Sequence, residues 1–355
     1  MAGPWGTGPY KLVEGVSTPA QRSEWVVLEA NLEYWDPTRF PRLQRIVFDN
    51  TLSQKEAVEL IKTGEGHVDL VTELRPLETL QVAESPFATV VKNRRSLTTV
   101  FGFFNMLKAE SPWRDVRLRQ AANFAINRED LMRYATKGNG VIIPALVPVQ
   151  AFGYDPNLAP YPFDPGKARG LLQQAGYTDG LVVTLIAPED LEVQATVVSK
   201  MLEQAGFKVE LQVLDAAAYN RKTLLRDLEQ PPDQQTWDIA LISWNDLNNF
   251  PVFQLYSFAL DGVYDWVIEE PELRRLQAQV LSTLDREQQQ ELIRQMERHT
   301  HDQAYFLFLY NPIRLYAVNK AVEFVPHVTT VLNLAETGVT AEHWSVRKQK
   351  TAGQE

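Results

Sequence analysis

The 355-residue chain contains no cysteine. Disulfide bonds, thiolate catalysis and cysteine-ligated zinc sites are therefore excluded. No stretch approaches the roughly 20 consecutive apolar residues that a membrane-spanning helix needs. Lysine and arginine are in the minority, with 35 basic against 45 acidic residues and a formal net charge of −10. This balance argues against nucleic acid as a partner, because phosphate binding depends on clustered cationic side chains.

Neither end of the sequence has the pattern of a targeting segment. The opening residues, MAGPWGTGPYKLVEG, contain neither the basic part nor the apolar core of a signal peptide. A complete chain with this beginning is expected to stay in the cytoplasm. The closing residues 347–355, RKQKTAGQE, are polar and predict a disordered tail.

Strand-like and helix-like patterns alternate along the chain. Ser53, with Glu56 three residues later, predicts a helix over 53–63. Asn127, Asp164 and Asp285 predict the caps of later helices. Strands are predicted over 25–28, 45–48, 68–71, 98–105, 181–186, 207–214, 237–244, 304–310 and 314–319. This alternation favours an α/β fold, and the chain length favours about two domains.

Catalytic and metal-binding patterns are not found. The start of a dinucleotide motif at Gly6-Thr-Gly8 fails, because its third glycine position is Lys11. His299 and His301 are two residues apart, so on a helix they cannot share a metal-binding face. The carboxylates lie mainly on helix faces among basic residues, a pattern typical of solvated surfaces. We therefore expect no enzyme, no cofactor and no metal site, whereas aromatic residues in loops fit either the core or a ligand cleft.

Several stretches occur in the order in which one protein family has them. They are GTGPYKL at 6–12, VLEANLEYW at 27–35, TGEGHVDLV at 63–71, DVRLRQAANFAINRE at 115–129, GYDPNLAPYPFDPGKARGLLQQAGY at 153–177 and WDIALISW at 237–244. On these stretches the chain resembles the family-5 extracellular solute-binding proteins of ABC importers. That family includes oligopeptide-, dipeptide- and nickel-binding proteins.

The resemblance implies an α/β fold of the type II periplasmic-binding-protein class, with two lobes that close about a hinge. It places residues 1–105 and 320–346 in the first lobe and 106–319 in the second. It also implies a periplasmic or extracellular receptor that works with an ABC permease. Family members usually continue upstream of the GTGPYKL stretch, so the first lobe is expected to be incomplete. An exposed sheet edge is then available for self-association.

The candidate ligand site follows the strand over 237–244, because open α/β sheets bind ligands at the carboxyl ends of their strands. Its predicted members are Trp244, Asn245, Asp246 and Asn248, with Tyr219 as a further candidate. They offer an aromatic platform, amides and one carboxylate, which suit a polyhydroxylated or cationic solute better than an anion. A core tryptophan followed by an ordinary turn is the alternative interpretation.

The family resemblance leaves the ligand open. In peptide-binding members an aspartate in this segment pairs with the peptide's amino terminus. Aligned on Trp244 and Pro251, that position is Leu247 here, and Asp246 lies one residue earlier. The predicted function is therefore capture of a peptide or another small polar solute for an ABC importer. The alternative is a truncated, non-transporting paralogue that acts as an intracellular interaction protein.

Overall fold

The chain crosses between two structural units twice, between residues 94 and 95 and between residues 313 and 314. The first unit contains residues 1–94 and 314–355, and the second contains residues 95–313. The computed structural model describes residues 6–18, 21–223, 231–247, 249–250, 265–268 and 270–347.

The helices and strands follow one another in a mixed α/β order. The first part of the chain forms β1 (Tyr10–Glu14), β2 (Trp25–Ala30), β3 (Arg45–Asp49), α1 (Gln54–Thr63), β4 (Leu70–Val71), α2 (Thr79–Ala83) and β5 (Ala88–Asn93). The second unit forms β6 (Thr98–Phe104), α3 (Val116–Ala125), α4 (Arg128–Ala135), β7 (Gly140–Ile142), α5 (Pro165–Gln174), β8 (Val182–Pro188), α6 (Glu192–Gln204), β9 (Lys208–Leu214), α7 (Ala216–Thr223), β10 (Ile239–Asn245), α8 (Pro271–Ser282), α9 (Arg286–Asp302) and β11 (Phe306–Pro312). The chain then adds β12 (Arg314–Asn319), β13 (Val322–Glu323) and β14 (Gly338–Val339) to the first unit.

The first unit is built from small antiparallel sheets. β1, β2 and β3 form one three-stranded sheet, and β12 lies between β4 and β5 in another. The predicted cap of α1 is confirmed. The Ser53 hydroxyl accepts from the Glu56 backbone N–H at 3.3 Å, and the Glu56 carboxylate accepts from the Ser53 N–H at 2.9 Å.

The second unit is organised around one six-stranded sheet with the order β7-β11-β6-β10-β8-β9. Every residue of β6 is buried, and so are six of the seven residues of β11. Strands that are covered on both faces need a continuous apolar run, which explains the aromatic sequence TTVFGFF of β6. Trp113 adds to this core, since its ring stacks on Phe104 with centroids 4.7 Å apart.

Hydrogen bonding explains why the crossings lie at 94/95 and 313/314 rather than at the predicted lobe boundaries after 105 and 319. β6 pairs with β10 and β11, so residues 98–104 belong to the second unit. β12 pairs with β4 and β5, so residues 314–319 belong to the first. A lobe boundary follows from these long-range pairings, which the local pattern of apolar residues does not encode.

Local signals predicted three of the helix starts in the described part of the second unit. The side chains of Asn127, Asp164 and Asp285 each accept a backbone N–H three residues later, at 3.1, 2.8 and 2.8 Å. The stretch 138–165, which has several glycines and prolines, contains the short strand β7. This short strand exists because Ile142 pairs with Tyr310 of β11 across the sheet.

The carboxyl-terminal part of the described chain is held by Asp69. One of its carboxylate oxygens accepts from Asn319 Nδ2 at 3.0 Å and from Trp344 Nε1 at 3.1 Å, and lies 3.1 Å from His343 Nε2. Arg347, the first residue of the predicted disordered tail, forms an ion pair with Glu65. The other residues of that tail, 348–355, lie outside the described residues.

Candidate ligand-binding site

The carboxyl ends of four strands meet at one edge of the six-stranded sheet. β10 runs parallel to β8 and β8 to β9, while β6 is antiparallel to both β10 and β11. β8, β9, β10 and β11 therefore point the same way, and the amino end of β6 lies between the last residues of β10 and β11. Edges of this kind are where open α/β sheets bind ligands.

Thr98 and Asn245 form the centre of this edge. They face each other as the first residue of β6 and the last of β10. The buried Thr98 hydroxyl donates to Asn245 Oδ1 and also lies 2.7 Å from the Ser96 hydroxyl. Within the described part of the chain no group accepts a hydrogen bond from Asn245 Nδ2, and Asn245 is only half-buried. Its amide group is therefore oriented by Thr98.

Asn311, near the end of β11, extends the polar cluster. Its Nδ2 donates to the Thr98 carbonyl oxygen at 2.9 Å and to Thr99 Oγ1 at 3.0 Å. Thr99 Oγ1 in turn donates to the Leu146 carbonyl oxygen at 3.1 Å. The ends of β6, β10 and β11 and the chain around residue 146 are thus joined by hydrogen bonds, which fixes the polar atoms of the edge before any ligand arrives.

Segment 143–152, which follows β7, lies against α9 beside this cluster. The backbone N–H of Val147 donates to Glu297 Oε2 of α9 at 2.9 Å. Phe152 N donates to Asn249 Oδ1, in the chain that follows β10, at 3.4 Å. Burial raises the pKa of Glu297 to about 7, and the backbone N–H groups of Val147 and Leu146 offset part of this rise.

The structure brings three of the predicted site residues to the sheet edge. Trp244 and Asn245 are half-buried at the end of β10. Asp246 is only 3% exposed, and its backbone N–H donates to the Leu97 carbonyl oxygen at 3.0 Å. Asn248 lies outside the described residues.

Tyr219, the weaker candidate, has a different environment from the one expected. It lies on α7 and is 3% exposed, and its hydroxyl donates to the Leu241 carbonyl oxygen inside β10 at 2.5 Å. Burial also raises the pKa of this phenol. The hydroxyl group therefore holds α7 against β10, and no part of this geometry presents it to a ligand.

Sequence reasoning missed Ser96, Thr98, Thr99 and Asn311. Their sequence signal was weak, since Thr98 and Thr99 are ordinary strand residues and Asn311 stands beside a proline. Thr98 and Asn311 are 213 positions apart, so only the pairing of β6 with β11 brings them together.

The most recognisable stretch of the sequence, 115–129, has a structural role. Arg128 is 4% exposed and donates to the carbonyl oxygens of Phe308 and Tyr161 at 2.9 and 3.0 Å. Arg119 is 3% exposed and donates to the Gln303 carbonyl oxygen at 2.8 Å. Burial lowers the pKa of each guanidinium to about 10, so both remain charged. Arg128 thus joins α4 to β11, and Arg119 joins α3 to the carboxyl end of α9.

Among the described residues, no group of three or more histidine and acidic side chains is placed to hold a metal ion. No helix in the same part of the chain is long and apolar enough to cross a membrane.

A family model described as "Bacterial extracellular solute-binding proteins, family 5 Middle" matches residues 1–265. The chain belongs to this family. The assignment confirms the resemblance seen in the sequence.

Curated relatives match over part of their length. The glutathione-binding protein GsiB of Shigella flexneri serotype 5b is 27% identical over 227 residues, and GsiB of Pectobacterium atrosepticum is 28% identical over 216 residues. Each match covers 60% of this chain and 40% of the relative. The chain thus corresponds to less than half of the length of these relatives.

Solved structures show the same fold over almost the whole chain. The substrate-binding protein CtaP of Listeria monocytogenes superimposes with a TM-score of 0.79 and 20% identity, covering 94% of this chain and 67% of that one. DppA of Helicobacter pylori in complex with peptide STSA superimposes with a TM-score of 0.76 and 22% identity, and the match covers 94% of this chain and 63% of DppA. NikA of Brucella suis in complex with Fe(III)-EDTA superimposes with a TM-score of 0.76 and 20% identity, and the match covers 94% of this chain and 68% of NikA. The fold is that of the type II periplasmic binding proteins, as expected from the sequence.

Proposed function

We propose that this chain supplies the ligand-binding part of an ABC importer's extracellular receptor and captures a short peptide or a peptide-like solute. The observation that carries the proposal is the cluster of Thr98, Asn245 and Asn311 at the carboxyl edge of the six-stranded sheet. A pre-oriented amide beside the half-buried Trp244 can donate to a peptide carbonyl while the ring packs on the chain of the ligand.

The relatives support the class of ligand. The curated matches are named as glutathione-binding proteins, and the DppA structure contains a peptide. Asp246 is buried, so its role in this proposal is to hold the end of β10 through the Leu97 carbonyl oxygen. The polar atoms offered to ligand come instead from Asn245, a neutral side chain that suits uncharged amide groups.

Calorimetry tests the proposal with reduced glutathione, di- to tetrapeptides, an oligosaccharide and a nickel salt as probes. We expect heat of binding with at least one peptide and a weaker affinity in Asn245→Ala, by roughly tenfold, which is the value of one hydrogen bond. Asn157→Ala is the matched control, because Asn157 is an exposed asparagine of the same unit. Equal affinities in the two variants would remove Asn245 from the site, and binding of the oligosaccharide alone would replace the peptide class.

A second candidate function is self-association through the first unit. In the part of the chain that the structure describes, β1 and β3 each pair with β2 alone. Val13, Trp25 and Val47 of this sheet are 52%, 44% and 48% exposed. Outer strands with exposed apolar side chains favour pairing with a second copy. Light scattering after size exclusion tests this candidate, since Val13→Lys should shift a dimer to monomer, and a monomeric wild type at all concentrations would exclude it.

A further inference from the structure

Glu297 is a buried acidic residue to which the proposed ligand site assigns no contact with the ligand. It lies on α9, is 2% exposed, and accepts the Val147 backbone N–H through Oε2 at 2.9 Å. Its Oε1 atom has no hydrogen-bond partner in the part of the chain that the structure describes. A buried carboxyl group with one unsatisfied oxygen is costly when ionised, so its protonation state matters to whatever it holds.

What it holds is the segment 143–152, which borders the candidate site. The Leu146 carbonyl oxygen accepts from Thr99, and Thr99 accepts from Asn311. The hydrogen bonds that link the Glu297 carboxyl group to Asn311 of the polar cluster therefore run through Val147, Leu146 and Thr99.

We propose that Glu297 is a positioning residue for the candidate ligand site, and that it sets the closure of segment 143–152 against β6 according to whether its carboxyl group is protonated. The ligand part of this inference rests on the proposed function, whereas the closure of the segment does not. Glu297 itself touches neither the sheet edge nor, in this proposal, the ligand.

Other contacts confine the movement to this segment. Arg298 pairs with Asp155, and Arg294 Nε donates to the Tyr154 carbonyl oxygen at 3.1 Å. Gly153 has a positive φ of 94° and no room for a side chain, because a Cβ atom there would lie 2.4 Å from Ile293 Cγ2. Residues 153–155 are thus fixed to α9 without Glu297, and opening is restricted to the residues before them.

The sign of the pH dependence follows from burial. In the closed arrangement desolvation raises the pKa of Glu297 to about 7 from its ordinary value of 4.5. Opening of the segment would let water reach the carboxyl group and return its pKa towards the ordinary value. The closed form therefore binds the proton more tightly and is most favoured below about pH 4.5. It loses stability as the pH rises towards 7, and the effect levels off above that value.

The charge of Asp155, on the chain that follows segment 143–152, raises the pKa of Glu297 further. The other charged or titratable side chains of α9 are Arg286, Glu287, Glu291, Arg294, Arg298, His299, His301 and Asp302, and those of α8 are Glu272, Arg274 and Arg275. β6 has no charged side chain, and β11 contributes only the phenol of Tyr310. Arg298 is engaged with Asp155 and Glu291, so it does not compensate Glu297.

Hydrogen exchange measures the closure without any ligand. We compare wild type, Glu297→Gln and the control Glu287→Gln, an exposed acid of the same helix, at pH 5 and pH 8 after correction for intrinsic exchange. In wild type and in the control, protection of segment 143–152 should fall by between about tenfold and a hundredfold between the two pH values. In Glu297→Gln protection should be the same at both, because the amide accepts the N–H bond without titrating.

Protection of β8 in the same experiment shows whether the rest of the second unit stays folded. In wild type the pH effect should be confined to segment 143–152 and absent from β8, which is read in the same experiment. A purely structural role predicts that Glu297→Gln lowers the protection of the segment below that of wild type by the same factor at pH 5 and at pH 8, so that the variant keeps the pH dependence of wild type. That result, or a wild-type segment whose protection does not change with pH, overturns the proposal.

Calorimetry with reduced glutathione and a tetrapeptide then separates the two proposals. Affinity in wild type should fall on the order of tenfold from pH 5 to pH 8, and Glu297→Gln should retain its affinity. Parallel pH profiles in the two proteins overturn the link between Glu297 and the ligand. If neither probe binds, the proposed function fails, and hydrogen exchange still decides whether Glu297 controls the segment.

Discussion

Arg128 donates through a guanidinium nitrogen to the side-chain carbonyl of Asn123 at 3.0 Å, and both residues are buried. The Asn123 carbonyl also accepts from the Phe308 backbone N–H at 3.1 Å, so the same oxygen joins α4 to β11. Removing the guanidinium leaves several buried oxygens without a donor, which costs more than the lost contacts themselves.

Arg128→Met should lower the free energy of unfolding by about 3 kcal/mol or more, because the carbonyl oxygens that Arg128 bonds stay buried without a donor. Arg133→Met is the control, since Arg133 lies on the same helix with 70% of its side chain exposed, and should change stability by less than about 0.5 kcal/mol. Urea unfolding followed by fluorescence measures both. Similar values for the two variants would contradict the structural role of the buried arginine.

Thr98→Val should weaken binding of the peptide probes roughly tenfold, because it keeps the shape of the side chain but removes the hydroxyl that orients Asn245. Thr89→Val, in an exposed position of β5, should leave the affinity unchanged. Calorimetry provides the measurement. An unaltered affinity in the first variant would show that Asn245 does not need this orientation to bind ligand.

Gly153→Ala should destabilise the second unit more than Gly176→Ala does. Both glycines have nearly the same positive φ, 94° and 95°, but a Cβ atom at Gly153 meets Ile293 at 2.4 Å and one at Gly176 meets nothing within 4 Å. Both substitutions therefore introduce the same backbone strain, and the difference between the melting temperatures of the two variants measures the cost of the clash with Ile293. Equal losses would mean that Ile293 moves aside at no cost.

The imidazole of His301 should make the protein less stable in acid. Burial lowers the pKa of His301, while Asp302 partly opposes the effect, and the ring lies 4.4 Å from that of Tyr161. A lowered pKa means that the unfolded chain binds the proton first, so stability decreases as the pH falls below about 6.5. The melting temperature of His301→Phe minus that of wild type should therefore be about 2 °C higher at pH 5 than at pH 7.5. For the control His67→Gln, at an exposed position, this difference should be the same at both pH values.

Strands of the second unit should exchange their amide protons more slowly than those of the first. β8 is paired on both sides within six strands, whereas β2 belongs to a three-stranded sheet with exposed apolar positions. Residues 182–186 and 208–214 are therefore expected to be better protected than residues 25–28 and 45–48. Hydrogen exchange with the native protein gives the order directly, and the opposite order would refute it.

The sequence predicted what depends on near neighbours and missed what depends on distant ones. Ser53 and Asp285 cap helices within three residues of themselves, so their side chains carry the prediction alone. The burial of Arg128 depends on a carbonyl of Phe308, 180 positions away. No local pattern distinguishes such an arginine from a solvated one.

Some residues of the candidate site could likewise be predicted from the sequence, whereas others depend on contacts between distant parts of the chain. Trp244 and Asn245 end a strand that the apolar run makes visible, and the rule on carboxyl ends of strands then indicates their position. Thr99 acquires its role only when Asn311 and Leu146 come beside it, through pairing between β6 and β11. Its hydroxyl has no local property that marks it in advance.

The position of β6 between β10 and β11 has a consequence for synthesis on the ribosome. The partner strand β11 is encoded about two hundred codons after β6, and the centre of the sheet cannot be completed until β11 has left the exit tunnel. During that interval one side of an aromatic strand has no native neighbour, and such strands aggregate readily. Between the emergence of β6 and that of residue 312, the exposed strand is therefore a site at which a chaperone can protect the nascent chain.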